Sequence, residues 1–424
     1  MKNLIIFHME SLSNFILNNN RDLFPNYKRF SKISTNFTNY YSSSTSTYMT
    51  MLDLFLSGDT AFEKCDYLEN IFEEGVKTKE SLFDLLKQTG YACKSFFYGF
   101  ENIDTVLSLN KLIFSDCDLW EGNNKKDLLQ NISDSLKTNL NRNFAFFIDD
   151  NSSHISFKST AEKSFLNITD WFKNRYSSID NTLGYILDCI ELLGLKDNTV
   201  LLVYGDHGEE FWTHGLHGGY SHAIEPFFDV SNCPLGVLDD SKQEIVCSKL
   251  ISTLDLKNFI LSKIEFESQP FVFSRKYAFS RNLFLNQFKR SNIFNKSYFV
   301  TDSEYTLIKD KFGYSLFFNR IDPTNHFNIL DLFKYKKGRL FYNKTFDYLP
   351  SSHLKSFISS KSIAEFSAKF NELKLALDDY IISLGTKKTL FKNKLKNNTL
   401  LKISLFFLIK SKLHFAKKIF KNFF

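Results

Sequence analysis

Acidic and imidazole side chains close three apolar runs in this chain, and a bound divalent metal is the chemistry they suit best. Asn3–Met9 leads into Glu10, residues 144–148 lead into Asp149-Asp150 with His154 shortly after, and residues 199–204 lead into Gly205-Asp206-His207. Carboxylates and imidazoles brought together supply the oxygen and nitrogen ligands of Mn²⁺, Zn²⁺ or Mg²⁺. Four of the nine histidines, His207, His214, His217 and His222, fall within sixteen residues after the third run. One of His214, His217 and His222 is expected to face the site. Distance to Pro234-Leu235 favours His222, and the local His217-Gly218 pair favours His217. Asp150, His217 and His222 are candidates for substrate binding or a second metal. His154, four residues after Asp150, is a candidate catalytic group. His8 is read as packed or hydrogen-bonded within the sheet.

Thr47 supplies the nucleophile in this reading. It stands where the polar stretch 42–50 meets the apolar run 51–56, so its hydroxyl is expected at a helix start on an exposed loop–helix junction. Backbone N–H groups and the helix dipole favour an anion such as a phosphoryl group there. A neutral hydroxyl is a weak nucleophile, and metal coordination is one way to activate it. Thr45 and Ser46 are reserve nucleophiles.

The elements that must hold these groups are strands alternating with helices. The three runs, with 93–98, read as strands buried on both faces, as in a parallel sheet. A helical apolar stripe covers 179–193 through Leu183, Ile186, Leu187 and Ile190, and 80–88 has helical spacing ending near Gly90. The alternation predicts a doubly wound α/β sheet with ligands outside the carboxyl ends of its strands. Residues 250–264 are expected to form one helix, 270–345 short strands in a small subdomain, and 361–384 a helix stopped by Gly385. No GxxxxGK[ST] or GxGxxG segment is present.

Bulk properties agree with a folded enzyme. The 424 residues are 43% hydrophobic and 24% charged, ordinary for a globular chain. Six scattered cysteines show no CxxC pair or zinc spacing and are expected as buried free thiols. The net charge is +6, yet residues 386–424 carry eleven Lys and no acid, so the first 385 residues are net acidic at about −5. A nucleic-acid-binding body would need the opposite balance. Residues 400–424 would place apolar and basic sides on one helix, suited to an anionic membrane surface or to packing on the acidic body. The opening apolar run is too short for a signal peptide or a spanning helix, which predicts a cytoplasmic protein, peripheral on the inner face of the membrane.

Several of these segments resemble the alkaline-phosphatase superfamily, in its sulfatase-like branch of lipoteichoic-acid synthases and phosphoethanolamine transferases. Residues 3–11 resemble the opening strand. Thr45-Ser46-Thr47-Tyr48-Met49-Thr50, running on to Leu56-Ser57-Gly58, resembles the nucleophile segment. Tyr204-Gly205-Asp206-His207-Gly208-Glu209-Glu210-Phe211 is similar to the sulfatase-type metal motif. Asp322-Pro323 with Asn328-Ile329-Leu330 echoes a late turn of such chains.

The resemblance spans roughly residues 1–335 and implies a three-layer α/β/α sandwich with a small carboxy-terminal subdomain and a basic helical tail. The expected divisions are a core at 1–265, a subdomain at 266–345 and a helical extension at 346–424. It also implies a metal held by Glu10, Thr47, Asp206 and His207, with room for a second. Thr47-Tyr48-Met49-Thr50 is not the C/S-x-P-x-R segment that type I sulfatases convert to formylglycine. The expected function is transfer of a phosphoglycerol- or phosphoethanolamine-type group from a small donor to a cell-surface glycan, such as a capsule, or its lipid-linked precursor. The alternative is a phosphodiesterase or phosphatase using the same site, and a third reading is an inactive binding module.

Overall fold

The predicted buried runs form the middle of one sheet. The structure is a computed structural model and describes residues 1–58, 79–100, 103–154, 168–210, 214, 222, 225–240, 243–282, 296–310, 313–336, 339–342 and 363–384. The strands that build the sheet and its edge are β1 (Asn3–Met9), β2 (Thr35–Phe37), β3 (Tyr40–Tyr41), β4 (Ala92–Tyr98), β5 (Asp118–Gly122), β6 (Phe144–Asp150), β7 (Thr199–Gly205), β8 (Leu235–Leu238) and β9 (Ile245–Cys247). All but β3 join an eight-stranded sheet in the order β5-β4-β6-β1-β7-β8-β2-β9. The first five of that order run parallel, and β8 alone runs against its neighbours. β1 lies between β6 and β7, so all three candidate strand ends emerge side by side.

Helices cover both faces. They are α1 (Asn14–Asn19), α2 (Pro25–Ser31), α3 (Thr47–Leu56), α4 (Leu82–Gln88), α5 (Ile103–Ile113), α6 (Lys125–Thr138), α7 (Ile168–Leu192), α8 (Phe228–Ser231), α9 (Leu256–Lys263) and α10 (Ile363–Ser383). Leu4 and Ile6 of β1 pack with Phe147, Leu202 and the apolar sides of α3, α4, α5 and α9. Ile5, Phe7 and Met9 pack on the opposite face with Ile148, Val203 and the apolar sides of α2, α6 and α7. Burial of each such side chain contributes ~1.5–3 kcal/mol. A one-residue slip of β1 would exchange its two faces and carry Glu10 to the wrong side, so core packing fixes the site's register.

This is the layered α/β architecture expected, with a small antiparallel sheet beside the large one. That sheet orders β11 (Ala278–Asn282), β12 (Ser297–Thr301), β13 (Tyr305–Lys309) and β14 (Tyr314–Phe318) consecutively. β10 (Ile251–Ser252) pairs with β3, and β15 (Phe333–Lys336) with β16 (Arg339–Tyr342). The single helix expected over 250–264 is a correction. Ser252 accepts a bond from the Leu254 amide and caps a 3₁₀ turn at Thr253–Asp255, so α9 starts only at Leu256. The five described cysteines are free thiols, with Cys117, Cys189 and Cys233 buried as expected and Cys93 and Cys247 half-buried.

Residues 1–381 form one compact unit and 382–424 a second. The basic tail, 386–424, with the helix expected over 400–424, lies outside the described residues. No described helix is long and apolar enough to cross a membrane.

Candidate active site

Period-two geometry places the acidic groups. Side chains alternate between sheet faces, so residues two apart share one. His8 follows Ile6, Asp149 follows Phe147 and Asp206 follows Tyr204, all on the face that α3 covers. His8 is fully buried there, with its ring 5.1 Å from Tyr204 and 6.4 Å from Phe147. Asp150 falls on the other face. Its carboxylate accepts from Lys125 Nζ, from the Ser152 amide (3.1 Å) and hydroxyl, and from Thr182 Oγ1 (2.6 Å). The structure therefore does not bring Asp150 to the other candidates: its oxygens cap a turn and pair with Lys125 of α6. Asp149, one residue earlier, is the strand-end acid that meets the other candidates.

Glu10 sits just past β1 and is fully buried. Ser11 next to it adopts the left-handed backbone, φ 54°, a strain of order ~1–3 kcal/mol for a non-glycine residue. That turn aims the Ser11 amide at Asp206 Oδ1 (3.0 Å), the Ser11 hydroxyl at Glu10 Oε1 (2.8 Å) and its carbonyl at Tyr176 Oη (2.7 Å). Gly205 and Gly208 flank Asp206-His207 for want of space. A Cβ at Gly205 would lie 2.1 Å from the Leu12 carbonyl oxygen, and one at Gly208 would lie 2.5 Å from the Asp229 carbonyl oxygen.

Thr47 is the first residue of α3. The junction is buried, contrary to expectation: Thr47 is 9% exposed and Ser42 to Thr45 are wholly enclosed. Thr47 Oγ1 lies 3.1 Å from His207 Nε2 and 3.3 Å from both Glu10 oxygens. Ser46, at the N-cap, makes no side-chain cap bond to the first turn, so it does not compete with an anion for the helix's positive end. Among the three candidate hydroxyls, Thr47 is the one joined to Glu10 and His207.

These groups fit a metal. His207 Nδ1 lies 2.9 Å from the Gly208 carbonyl, which as an acceptor fixes the proton on Nδ1 and turns the Nε2 lone pair inward. Nε2 is 3.0 Å from Asp206 Oδ2 and 3.7 Å from Glu10 Oε1. Separations of this size match the edge of a tetrahedron around an ion with bonds of ~2.0–2.2 Å. Asp206 Oδ2 and His8 Nε2 are buried without a well-formed hydrogen bond among the described residues. Burial pushes the Glu10 carboxyl up, and the nearby Asp206 charge adds to it. Burial likewise raises Asp149, to about 6. Three enclosed acids against two imidazoles leave a demand for positive charge. Glu10, Asp206 and His207 are one set able to hold an ion, and His8, Glu10 and Asp149 another.

His8 was read as hydrogen-bonded within the sheet, and its Nδ1 lies 3.0 Å from Asp149 Oδ1. Its Nε2 also reaches 3.2 Å from Asp206 Oδ1, so Asp149 and His8 together orient Asp206. Of the three downstream histidines, His222 stacks on His207 at 4.2 Å and lies 2.9 Å from Glu209 Oε2. His154 meets the outer side of this row, 5.6 Å from the His222 ring. Burial, with His222 adding, holds the His154 imidazole down to about 4, so it is neutral. His214 joins a different group, and His217 lies outside the described residues. A cavity of ≈520 Å³ lined by Lys2 and Asp240 opens at the opposite end of β1 and has no part in this chemistry.

One residue that sequence reading missed locks the nucleophile loop. Arg281 of β11 is 2% exposed and forks onto Asp53 of α3, with Nη1 2.7 Å from Oδ2 and Nη2 3.2 Å from Oδ1. Arg281 also donates from Nη1 and its amide to the Ser43 carbonyl, while its own carbonyl accepts from the Thr45 amide. The local signal was limited to an acid, Asp53, inside the apolar run 51–56, because its partner Arg281 lies 228 positions away. Arg281→Met should destabilise the fold by ~3–5 kcal/mol through the stranded Asp53 charge. The double variant Asp53→Leu/Arg281→Met should recover part of that loss in urea unfolding. Equal stability of Arg281→Met and the unaltered chain would remove the clamp.

Comparison with known proteins follows from this geometry. The sulfatase family pattern matches residues 2–228. Among solved structures, a putative sulfatase from Bacteroides thetaiotaomicron VPI-5482 is similar at 14% identity and TM-score 0.62, over 91% of this chain and 93% of that one. The lipoteichoic acid synthase LtaP from Listeria monocytogenes is similar at 14% identity and TM-score 0.55, over 88% and 93%. A protein of the alkaline phosphatase superfamily from Vibrio parahaemolyticus gives 15% identity and TM-score 0.52, over 87% and 86%. No curated protein matches the chain significantly.

Proposed function

The chain belongs to the sulfatase family, and from that premise we propose that it transfers a phospho-substituent, of the phosphoglycerol or phosphoethanolamine type, to a cell-surface glycan or its lipid-linked precursor. It is an enzyme of the sulfatase-like type, a hydrolase or transferase. The observation that carries the finer reading is Thr47: an unmodified hydroxyl at a helix start, 3.1 Å from His207 Nε2 and 3.3 Å from both Glu10 oxygens. LtaP, a lipoteichoic acid synthase, is a precedent for synthesis on this fold.

A divalent ion (Mn²⁺, Zn²⁺ or Mg²⁺) held by Glu10, Thr47, Asp206 and His207 would supply Lewis acidity for charge developing on the transferred group. In the first half-reaction Thr47 Oγ1 bonds to phosphorus as the donor's P–O bond breaks, and the Thr47 proton ends on the released alcohol. In the second, the acceptor hydroxyl attacks the same phosphorus, and its proton restores Thr47 as that bond breaks. His154 and His222 line the approach to His207, where they would contact donor or acceptor.

Mass spectrometry of Thr47 peptides after incubation with candidate donors tests the reading, because the trapped mass names the group. An adduct discharged only by a glycan acceptor supports the transferase. Equally fast discharge by water supports the phosphodiesterase alternative. Turnover without any adduct on Thr47 rejects the covalent route.

Membrane attachment through 386–424, on the inner face, completes the proposal. Basic residues near an anionic surface contribute on the order of ~1 kcal/mol each, and buried Phe and Leu add to this. A chain ending at Gly385 should leave anionic vesicles yet keep activity on a small donor. Salt near ~1 M should weaken binding of the intact chain only partly, since it screens charge but not apolar burial. Equal flotation of both chains would reject the membrane role.

A further inference from the structure

A second cluster of buried ionisable groups follows the reaction centre along the chain and shares none of its residues. Glu210 is 1% exposed, Asp229 on α8 is 2% exposed and the His214 side chain is 8% exposed. One ligand atom from each lies within 4.8 Å of the other two.

The His214 ring is fixed from several directions. It stacks on Phe227 at 3.6 Å and on His326 at 4.7 Å, and its Nε2 lies 3.3 Å from the Asn325 carbonyl. That carbonyl can only accept, so Nε2 carries a proton, and the 2.5 Å between Nδ1 and Glu210 Oε1 requires a further proton there when no ion takes its place. The Asn325 side chain meanwhile accepts from the Phe228 amide at 2.7 Å, tying the same turn to α8.

Asp229 is the group without an answer. Neither oxygen of its carboxylate meets a hydrogen-bond donor from another residue among the described residues. Burial first, then the Glu210 charge, pushes this carboxyl well above its ordinary range. No Lys or Arg occurs between Lys196 and Lys242, so this stretch of chain offers no cation but histidine. An enclosed, unpaired carboxylate beside a second one is strongly unfavourable. Two carboxylate oxygens and an imidazole nitrogen, with the ring's other N–H on a backbone carbonyl, form a donor set suited to a borderline divalent ion.

We propose that Glu210, His214 and Asp229 hold a second divalent transition-metal ion, zinc or manganese, with a structural role. It joins the segment following Asp206-His207 to α8 and, through the His214–Asn325 contact, to the turn around Asp322. The competing occupant is a proton shared among the same three groups.

The test uses the full chain loaded with Zn²⁺ or Mn²⁺, desalted and assayed for bound metal by elemental analysis. Asp206→Asn/His207→Ala removes the reaction-centre ion. That variant should keep about one equivalent, and adding Asp229→Asn should remove it. Chelator should lower the unfolding temperature of the first variant and leave the second unmoved. The same one-ion difference is expected between the unaltered chain and Asp229→Asn alone, which serves if the background variant fails to fold. Equal metal content with and without Asp229→Asn, or an unchanged or raised unfolding temperature for Asp229→Asn with no metal lost, assigns the site to the proton and overturns the proposal. Failure of the reaction-centre assignment would instead appear as full metal content in Asp206→Asn/His207→Ala.

Discussion

Thr47→Ala should cut turnover by at least ~10³-fold, the scale expected when an activated nucleophile is lost. The deleted hydroxyl is the one within 3.3 Å of Glu10 and His207. Thr45 Oγ1 has no hydrogen-bond partner among the described residues, and Ser46 makes no cap bond through its side chain. Their alanine variants should therefore lose far less activity. Thr47→Ser keeps an oxygen at the same place and should retain measurable turnover and the mass-spectrometric adduct. Folding should change by only ~1–2 kcal/mol, because one hydroxyl and one methyl group are lost while the helix start survives. That expectation rests on alanine's tolerance in a first turn, since the junction is enclosed. Near-normal turnover in a folded Thr47→Ala protein would move the nucleophile to a neighbour or end the covalent mechanism.

The strands that carry the site were legible because burial on both faces leaves an uninterrupted apolar signal. β1 matches its expected bounds, β6 extends only into Asp149-Asp150 and β7 only into Gly205. α7 begins well before the expected 179, and Phe172 and Tyr176, four residues apart, extend the stripe of Ile179 and Leu183 toward its start among polar neighbours that obscure it. Short strands such as β2, β8 and β9 escaped notice because three or four residues show no periodicity of their own. Their pairing is decided by partners far along the chain.

Within the site, residue type was readable and side-chain direction only partly so. Asp149 and Asp150 are chemically alike, and spacing from Phe147 alone separates them. Applying the two-residue alternation to β6 would have chosen Asp149, which bonds His8, over Asp150, which bonds Lys125 and Thr182. The choice between His214 and His222 had no such signal. Both follow the strand in loop, and only tertiary contacts send one to His207 and the other to Glu210. Arg281 was out of reach for the same reason.

Removing divalent metal should abolish activity, and Mn²⁺ or Zn²⁺ should restore it, because the enclosed acids outnumber the imidazoles that could balance them. Asp206→Asn and His207→Ala should each lower both rate and bound metal, since each takes away one donor of the Glu10, Asp206 and His207 set. Asp149 gives the more discriminating variant. It touches neither Thr47 nor His207 in a hydrogen bond, but it holds His8 Nδ1 at 3.0 Å, and His8 Nε2 stands 3.2 Å from Asp206 Oδ1. Asp149→Asn should therefore weaken metal affinity by ~10–100-fold, the usual effect of losing a group that orients a ligand. Turnover at saturating metal should fall much less than in His207→Ala. This split separates orientation from direct ligation, because a direct ligand lost would depress the rate at any metal concentration. If Asp149→Asn instead abolishes activity even at saturating metal, Asp149 belongs with His8 and Glu10 in a second ion site at the reaction centre. Full metal content in both Asp206→Asn and His207→Ala would dismiss the ligand assignment altogether.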